Sequence, residues 1–160
     1  MHKRIAISIG DINGIGPEVV IKSLRDLTLQ EITPIILSSK KAFDFWLTNL
    51  SHSLNYHHAL TADEVVERKI NLLQTHPDEA ISVKPGDFSK RSGKCAMLAV
   101  EKGISLCKSK QADALVTAPI SKEAVNLAGY DIPGHTEFLA EKTDTTDFMM
   151  MLVHDNLRVG

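Results

Sequence analysis

The spacing of apolar residues along the first part of the chain predicts alternating strands and helices. Isoleucines at alternate positions within residues 4–9 predict a first strand. A glycine-rich stretch follows at residues 10–16, and apolar residues near helical spacing then predict a helix over about residues 17–27. Residues 34–37 are continuously apolar, as in a strand that is buried on both faces. The chain therefore opens with a strand, a glycine-rich turn, a helix and a second strand.

The same alternation continues to the end of the chain. Helices are predicted at residues 40–50, 63–73, 92–110, 121–129 and 136–142, and strands at 113–118 (a buried one), 148–153 and 157–159, with further short strands between 51 and 85. Strands that alternate with helices in this way favour a parallel or mixed sheet covered by helices. The predicted fold class is therefore α/β.

Composition and charge exclude several classes of function. The formal net charge is −2, with basic residues scattered, so neither nucleic acid nor an anionic membrane is an expected partner. No apolar stretch is long enough for a signal peptide or a membrane helix. Cys95 and Cys107 are too few for a disulfide framework, and they are interpreted as reduced thiols of a cytosolic protein.

The glycine-rich opening places backbone N–H groups between a strand end and a helix start. Gly14 and Gly16 would let the backbone approach a ligand closely, and the Asp11 carboxylate could reach that ligand or cap the helix. The spacing matches neither a dinucleotide-binding fingerprint nor a P-loop. A tight turn without any ligand is the alternative, and the sequence leaves both open.

The segment from Thr117 to Lys122 follows a predicted buried strand. Ligands of open α/β sheets gather at the carboxyl ends of the strands, where the Thr117 hydroxyl and the Lys122 ammonium could meet an anionic substrate. In the alternative reading Thr117 ends the strand, Ser121 caps a helix and Lys122 is solvated.

His135 and Thr136 stand where a further helix is predicted to begin. A helix N-terminus attracts phosphate, and both side chains can hydrogen-bond to its oxygens. His135 could instead be a metal ligand, a cap or a surface residue, but no second histidine lies at metal-binding spacing on that helix. No role is assigned to the other histidines, of which three are expected to be solvated: His2, His76 and His154.

Three blocks of sequence together resemble the 4-hydroxythreonine-4-phosphate dehydrogenase family. They are IGDINGIGPE at residues 9–18, LVTAPISK at residues 115–122 and GHTEFLAE at residues 134–141. The first block is similar also to isopropylmalate and isocitrate dehydrogenases. The family usually has Pro-Ala where this chain has Ile12-Asn13.

The resemblance implies an isopropylmalate-dehydrogenase-like α/β/α sandwich, incomplete in this chain. Residues 1–130 would form most of a first domain and residues 131–160 the start of a second, in the N-terminal half of a cytoplasmic homodimeric enzyme. That enzyme would use NAD and a divalent metal cation to oxidise and decarboxylate 4-phosphooxy-L-threonine in pyridoxal phosphate biosynthesis. His135 and Thr136 would bind the substrate, and the metal ligands are expected beyond Gly160.

Two other functions remain open at this point. The chain could belong to a dehydrogenase of another phosphorylated hydroxy acid, such as a tetronate phosphate, or it could be a non-catalytic anion-binding module. Lys122 is the candidate for a catalytic residue. Alone, the 160-residue chain is expected to be inactive, to expose apolar surface and to be unstable or associate.

Overall fold

The computed structural model describes residues 2–25 and 27–160 and contains a parallel sheet between two layers of helices. The sheet is built from β1 (Lys3–Ser8), β2 (Ile32–Ser38), β3 (Tyr56–Ala59), β4 (Ile70–Gln74) and β5 (Ala114–Thr117). The helices are α1 (Gly16–Arg25), α2 (Lys40–Asn49), α3 (Lys90–Lys108), α4 (Lys122–Leu127) and α5 (His135–Lys142). Two short 3₁₀ turns (Ala62–Glu64 and Asp78–Ala80) and a hairpin of β6 (Leu152–His154) and β7 (Leu157–Val159) complete the described elements. These bounds confirm the predicted helices of residues 40–50, 92–110, 121–129 and 136–142.

The order of the strands puts a crevice between β1 and β5. The strands lie in the order β3-β4-β2-β1-β5, and each neighbouring pair is parallel. The chain proceeds from β1 to β2 in one direction, whereas β5 is added on the opposite side of β1. Ligands of open α/β sheets bind at such a reversal, outside the carboxyl ends of the strands. The loops that follow β1 and β5 meet there.

Side chains of β2 separate the two helical layers. Ile36 packs in one apolar cluster with Ile21 of α1 and Phe43 of α2. Its neighbour Leu37 packs in a second cluster with Ala99 of α3. Because successive side chains of a strand point to opposite faces, α1 and α2 cover one face and α3 the other. The α/β/α prediction is confirmed.

The first turn of α3 lies unusually close to α4. A Cβ atom added at Gly93 would stand 1.9 Å from the carbonyl oxygen of Ala124, so only glycine permits this approach. At Gly103, farther along α3, an added Cβ would instead meet the Leu115 side chain, at 2.4 Å. Ser121 begins α4 as predicted, since its Oγ accepts a hydrogen bond from the Ala124 N–H at 3.3 Å.

Three predicted elements were wrong in type, length or burial. The helix expected at 63–73 is replaced by a 3₁₀ turn and by β4, whose first four residues are buried between strand neighbours. Within 148–153, only residues 152 and 153 belong to a strand. The strand expected to be buried at 113–118 is β5, in which exposed and partly buried residues alternate. The described residues place no strand along the outer edge of β5, which explains its exposure.

The C-terminal segment (residues 144–160) is exposed throughout. It carries eight large apolar side chains that are at least half exposed: Phe148, Met149, Met150, Met151, Leu152, Val153, Leu157 and Val159. Just before this segment, Phe138 of α5 is buried in a cluster with Met97 and Val100 of α3. The predicted domain boundary at residue 130 stays a prediction. Among the described helices, none is both long and apolar enough to cross a membrane.

Candidate functional site

The loops after β1 and β5 are tied together by their backbones. Asp11 N–H donates to the carbonyl oxygen of Pro119 at 3.0 Å, and Ala118 N–H donates to that of Ser8 at 3.2 Å. Gly10 has a φ of +74°, and a Cβ added there would stand 2.2 Å from the Pro119 carbonyl oxygen. At Gly16 an added Cβ would meet a backbone oxygen at 2.4 Å. Gly10 is therefore required by the close packing of the two loops, whereas Gly16 is required by the close approach of the loop after β1 to its own Ile9 carbonyl oxygen.

The glycine-rich loop uses its own polar groups to hold its shape. Asp11 is 5% exposed, and its Oδ1 accepts a hydrogen bond from the Asn13 N–H at 2.9 Å. Gly14 N–H donates to the Asp11 carbonyl oxygen at 3.0 Å. The N–H groups of Asp11, Asn13 and Gly14 are thus already paired, which fits a tight turn better than a cradle for a cofactor's pyrophosphate. A ligand-binding role for Asp11, Gly14 and Gly16 stays a prediction.

Asn13 fixes the segment that leads into α3. This side chain is 3% exposed; its Oδ1 accepts from the Lys84 N–H at 2.8 Å, and its Nδ2 donates to the Asp87 carbonyl oxygen at 3.2 Å. On the other side of the loop, the Trp46 indole N–H donates to the Ile12 carbonyl oxygen at 2.7 Å. These contacts occur where the chain departs from the Pro-Ala of the family it resembles, and no local sequence pattern indicates them.

A cavity of about 230 Å³ brings together two of the predicted site residues, His135 and Lys122. Its other lining residues come from the loop after β5, from α4 and from the approach to α5: Pro119, Ile120, Val125, Ile132 and Gly134. The Nε2 atom of His135 is buried and has no hydrogen-bond partner in the parts of the chain that the structure describes. Burial also lowers the pKa of His135. The cavity therefore pairs a neutral imidazole, whose buried nitrogen is unsatisfied, with a lysine.

Thr136 and Thr117 lie outside the lining of this cavity. Thr136 follows His135 in the first turn of α5 and is partly buried. Gly134 precedes that helix without a side-chain cap, so the first turn keeps unpaired N–H groups that favour an anion. Thr117 lines a different recess, and the structure does not bring it into the His135 cavity.

The recess that contains Thr117 is an apolar groove of about 220 Å³ between α1 and the strands β1 and β5. Val19 of α1 and Val116 of β5 line it, and Val116 is 51% exposed. Pro119 lines both the groove and the His135 cavity. Pro119 therefore separates the apolar groove from the cavity that contains His135 and Lys122.

The prediction that His2, His76 and His154 are solvated holds for His154 alone. His76 is 6% exposed because it follows β4 into the interior, and burial lowers its pKa to about 4. His2 is partly buried and pairs with Thr33 Oγ1 at 2.5 Å. Within residues 2–25 and 27–160, no three His, Cys, Asp or Glu side chains are grouped as a metal site would require.

Comparison with known sequences relates the chain to enzymes of phosphorylated hydroxy acids. Residues 30–160 match the model of a family described as pyridoxal phosphate biosynthetic protein PdxA. The chain is 36% identical to a 4-hydroxythreonine-4-phosphate dehydrogenase of Prosthecochloris aestuarii, over 96% of this chain and 47% of that protein. It is 31% identical to a D-threonate 4-phosphate dehydrogenase of Pectobacterium atrosepticum, over 99% of this chain and 50% of that protein.

Comparison with solved structures gives the same relationship. A 4-hydroxythreonine-4-phosphate dehydrogenase from Burkholderia phymatum superimposes with a TM-score of 0.86 at 29% identity, over 99% of this chain and 48% of that one. The chain thus spans about half the length of the relatives that it matches.

Proposed function

Because the chain belongs to the PdxA family, we propose that it takes part in the NAD-dependent oxidation and decarboxylation of 4-phosphooxy-L-threonine, a step of pyridoxal phosphate biosynthesis. One observation supports this proposal above the others. His135, in the family's Gly-His-Thr-Glu block, has a buried Nε2 that finds no hydrogen-bond partner among the described residues, at a cavity that it shares with Lys122. An unsatisfied buried nitrogen at a helix start is suited to an oxygen of a polar substrate.

His135 and Lys122 of this cavity, together with Thr136 just outside its lining, would act by binding and orienting the substrate. The neutral His135 side chain would form a hydrogen bond with a substrate oxygen, and the Thr136 hydroxyl would donate a second hydrogen bond to the substrate. Lys122 would place a positive charge opposite a carboxylate or phosphate. The positive end of the α5 dipole adds to this attraction. The volume lies below the roughly 300–1,000 Å³ of drug-sized sites, which suits one part of a small phosphorylated acid.

The reaction removes a hydride from the carbon of the secondary alcohol and a proton from its oxygen. The 3-oxo acid that results then loses CO2. Bound NAD would supply the hydride acceptor. Among the described residues, no group of three His, Cys, Asp or Glu side chains would hold the divalent cation that the family resemblance implies. Lys122 is the catalytic candidate that we propose, on the ground that it lines the same cavity as His135.

D-threonate 4-phosphate is a second candidate substrate. Relatives that carry its name match the chain at identities close to those of the 4-hydroxythreonine-4-phosphate dehydrogenases. The two acids differ at C2, where one bears an amino group and the other a hydroxyl. The residues that line the His135 cavity include no carboxylate, so this part of the site gives an ammonium group no ion pair.

We also propose the organisation that the family resemblance implies. Residues 1–130 would belong to a first domain and residues 131–160 to a second, in a cytoplasmic homodimer. The exposed apolar side chains of the C-terminal segment support an association of this kind.

The experiment compares both acids as substrates of the dehydrogenase that contains this sequence, by NADH absorbance. His135→Gln and Thr136→Val should raise KM or lower kcat/KM at least about tenfold, because each removes a hydrogen bond to a charged substrate. His154→Gln, at an exposed histidine, serves as the matched control. Unchanged kinetics in His135→Gln would sink the site assignment. If isothermal titration detects binding of an acid and no NADH is formed, the chain is an anion-binding module instead.

A further inference from the structure

The N-terminus of α3 carries an unusual arrangement of charge. Lys90, Arg91 and Lys94 lie within its first five residues, and its first turn contains no acidic residue. Cations at this end of a helix oppose the helix dipole, so the arrangement disfavours a solvated helix of 19 residues unless an anion compensates it. Local rules of this kind are broken most often where a protein binds something.

These cations border a cleft with two adjoining parts that share Lys90 and Arg91. The first part, of about 360 Å³, is lined also by Asn13, Lys84 and Ser89, and Asp87 adds one acidic side chain to its lining. The second part, of about 440 Å³, is mostly apolar and is lined also by His76, Pro77, Lys94, Cys95 and Leu98. The cleft shares no lining residue with the His135 cavity.

The cations of the cleft are largely without anionic partners. Across the part of the chain that the structure describes, no ion pair is formed by Lys84, Lys90 or Arg91. The Lys94 ammonium donates a hydrogen bond to the Tyr130 hydroxyl at 2.9 Å. The Ser89 hydroxyl oxygen accepts a hydrogen bond from the Ser92 N–H. The backbone N–H groups of Lys90 and Arg91 have no hydrogen-bond acceptor among the described residues.

A second, independent observation comes from His76 in the wall of the cleft. This residue is more than nine-tenths buried, and its Nε2 has no hydrogen-bond partner among the described residues. Its other ring nitrogen lies 2.8 Å from Thr75 Oγ1. When Thr75 donates to that nitrogen, Nε2 carries the proton and lacks an acceptor. Asp78 is the carboxylate whose charge acts on this ring.

We propose that the α3 cleft is a second anion site, which binds the phosphate group of a small molecule through Lys90, Arg91 and the N–H groups of the first turn. The buried Asn13 amide, which holds the backbone of residues 84–87, would keep Lys84 at the same site. The phosphate could belong to a monoester or to the diphosphate of a nucleotide. The site is independent of the dehydrogenase proposal, because it uses none of the residues assigned there.

The test titrates the dehydrogenase that contains this sequence with inorganic phosphate and with pyrophosphate at constant ionic strength, by calorimetry and by the backbone amide NMR signals of residues 89–93. Arg91→Ala and Lys90→Ala should each weaken binding at least about fivefold, since each removes a charge-assisted contact. Lys102→Ala, farther along the same helix, is the matched control and should bind both anions as the wild type does. Circular dichroism verifies that every variant is folded.

Each outcome of the titration either supports or overturns the proposed anion site. Tighter binding of pyrophosphate identifies a diphosphate ligand, and binding of phosphate at least as tight identifies a monoester; both support the site. Equal affinity in wild type and Arg91→Ala overturns it. So do amide shifts confined to the surroundings of His135, or the absence of binding by either anion at millimolar concentration.

Discussion

Replacing Gly10 by alanine tests the contact between the loops after β1 and β5. The new methyl group would lie 2.2 Å from the Pro119 carbonyl oxygen, in a backbone conformation with φ of +74°. Gly86 offers a matched control, because its φ is +82° and an added Cβ there would have no atom within 4 Å. Both substitutions place alanine in a left-handed backbone conformation, at the same cost in free energy. Only Gly10→Ala also creates a steric overlap, with the Pro119 carbonyl oxygen.

The magnitudes follow from these two geometries. A left-handed backbone costs alanine about 1–2 kcal/mol, which is the whole loss expected for Gly86→Ala. Relief of the overlap requires the Pro119 carbonyl to retreat by about 1 Å or more, and overpacking of this kind costs about 1–3 kcal/mol. The hydrogen bond from Asp11 N–H to that carbonyl would weaken as well, by about 0.5–1.5 kcal/mol. Gly10→Ala should therefore lose about 1.5–4.5 kcal/mol more than Gly86→Ala.

Urea unfolding provides the assay. The chain has a single tryptophan, Trp46, which is 9% exposed and bonded to the glycine-rich loop, so its fluorescence reports on this region. The transition midpoint and slope of each variant give the free energy of unfolding. Equal losses for Gly10→Ala and Gly86→Ala would refute the reasoning, because the two loops could then separate without cost.

Three further outcomes are expected. Gly93→Ala, whose methyl group would overlap a backbone carbonyl of α4, should destabilise the chain more than Gly103→Ala, whose methyl group meets only the side-chain tips of Leu115 and Leu37; equal urea midpoints would contradict this. Burial holds the pKa of His76 at about 4, against 6.5 in the unfolded chain. The neutral His76 therefore contributes up to about 3 kcal/mol to the free energy of unfolding. This contribution is complete above pH 6.5 and is lost as the pH falls towards 4. His76→Gln should flatten this pH dependence in urea titrations, and an unchanged profile would assign it to other groups. Met150→Ser with Val153→Ser should reduce association in light scattering, since both side chains are exposed and apolar, and equal scattering would exclude this surface.

The periodic parts of the fold were predictable from the sequence, whereas elements set by distant contacts were not. The helix α3 was found within two residues at each end, because its apolar positions follow helical spacing. Short strands were expected between residues 51 and 85, but most of β4 was also covered by the helix predicted at 63–73, because Asn71 interrupts the apolar run of the strand. In the structure that side chain is buried and pairs with Val66, which is a partner that no local pattern indicates.

The candidate site divides in the same way. The closeness of Lys122 to His135 follows from their positions beyond β5, at the edge of the sheet where ligands gather. The Asn13 contacts with Lys84 and the close approach of Gly10 to Pro119 join segments that are far apart in sequence, and only the folded chain brings them together. The cluster of cations on α3 did have a signal in the sequence, namely a helix start rich in lysine and arginine without an acidic residue.

The position of Pro119 gives the molecule a second point of attack for inhibitors. One side of the residue faces an apolar groove that is closed by α1, and another faces the cavity of His135. A compact hydrocarbon-like compound that wedges into the groove would press on this shared wall and distort the neighbouring cavity. Such a compound would need no resemblance to a phosphorylated acid, and a high concentration of the natural ligand would not displace it by simple competition.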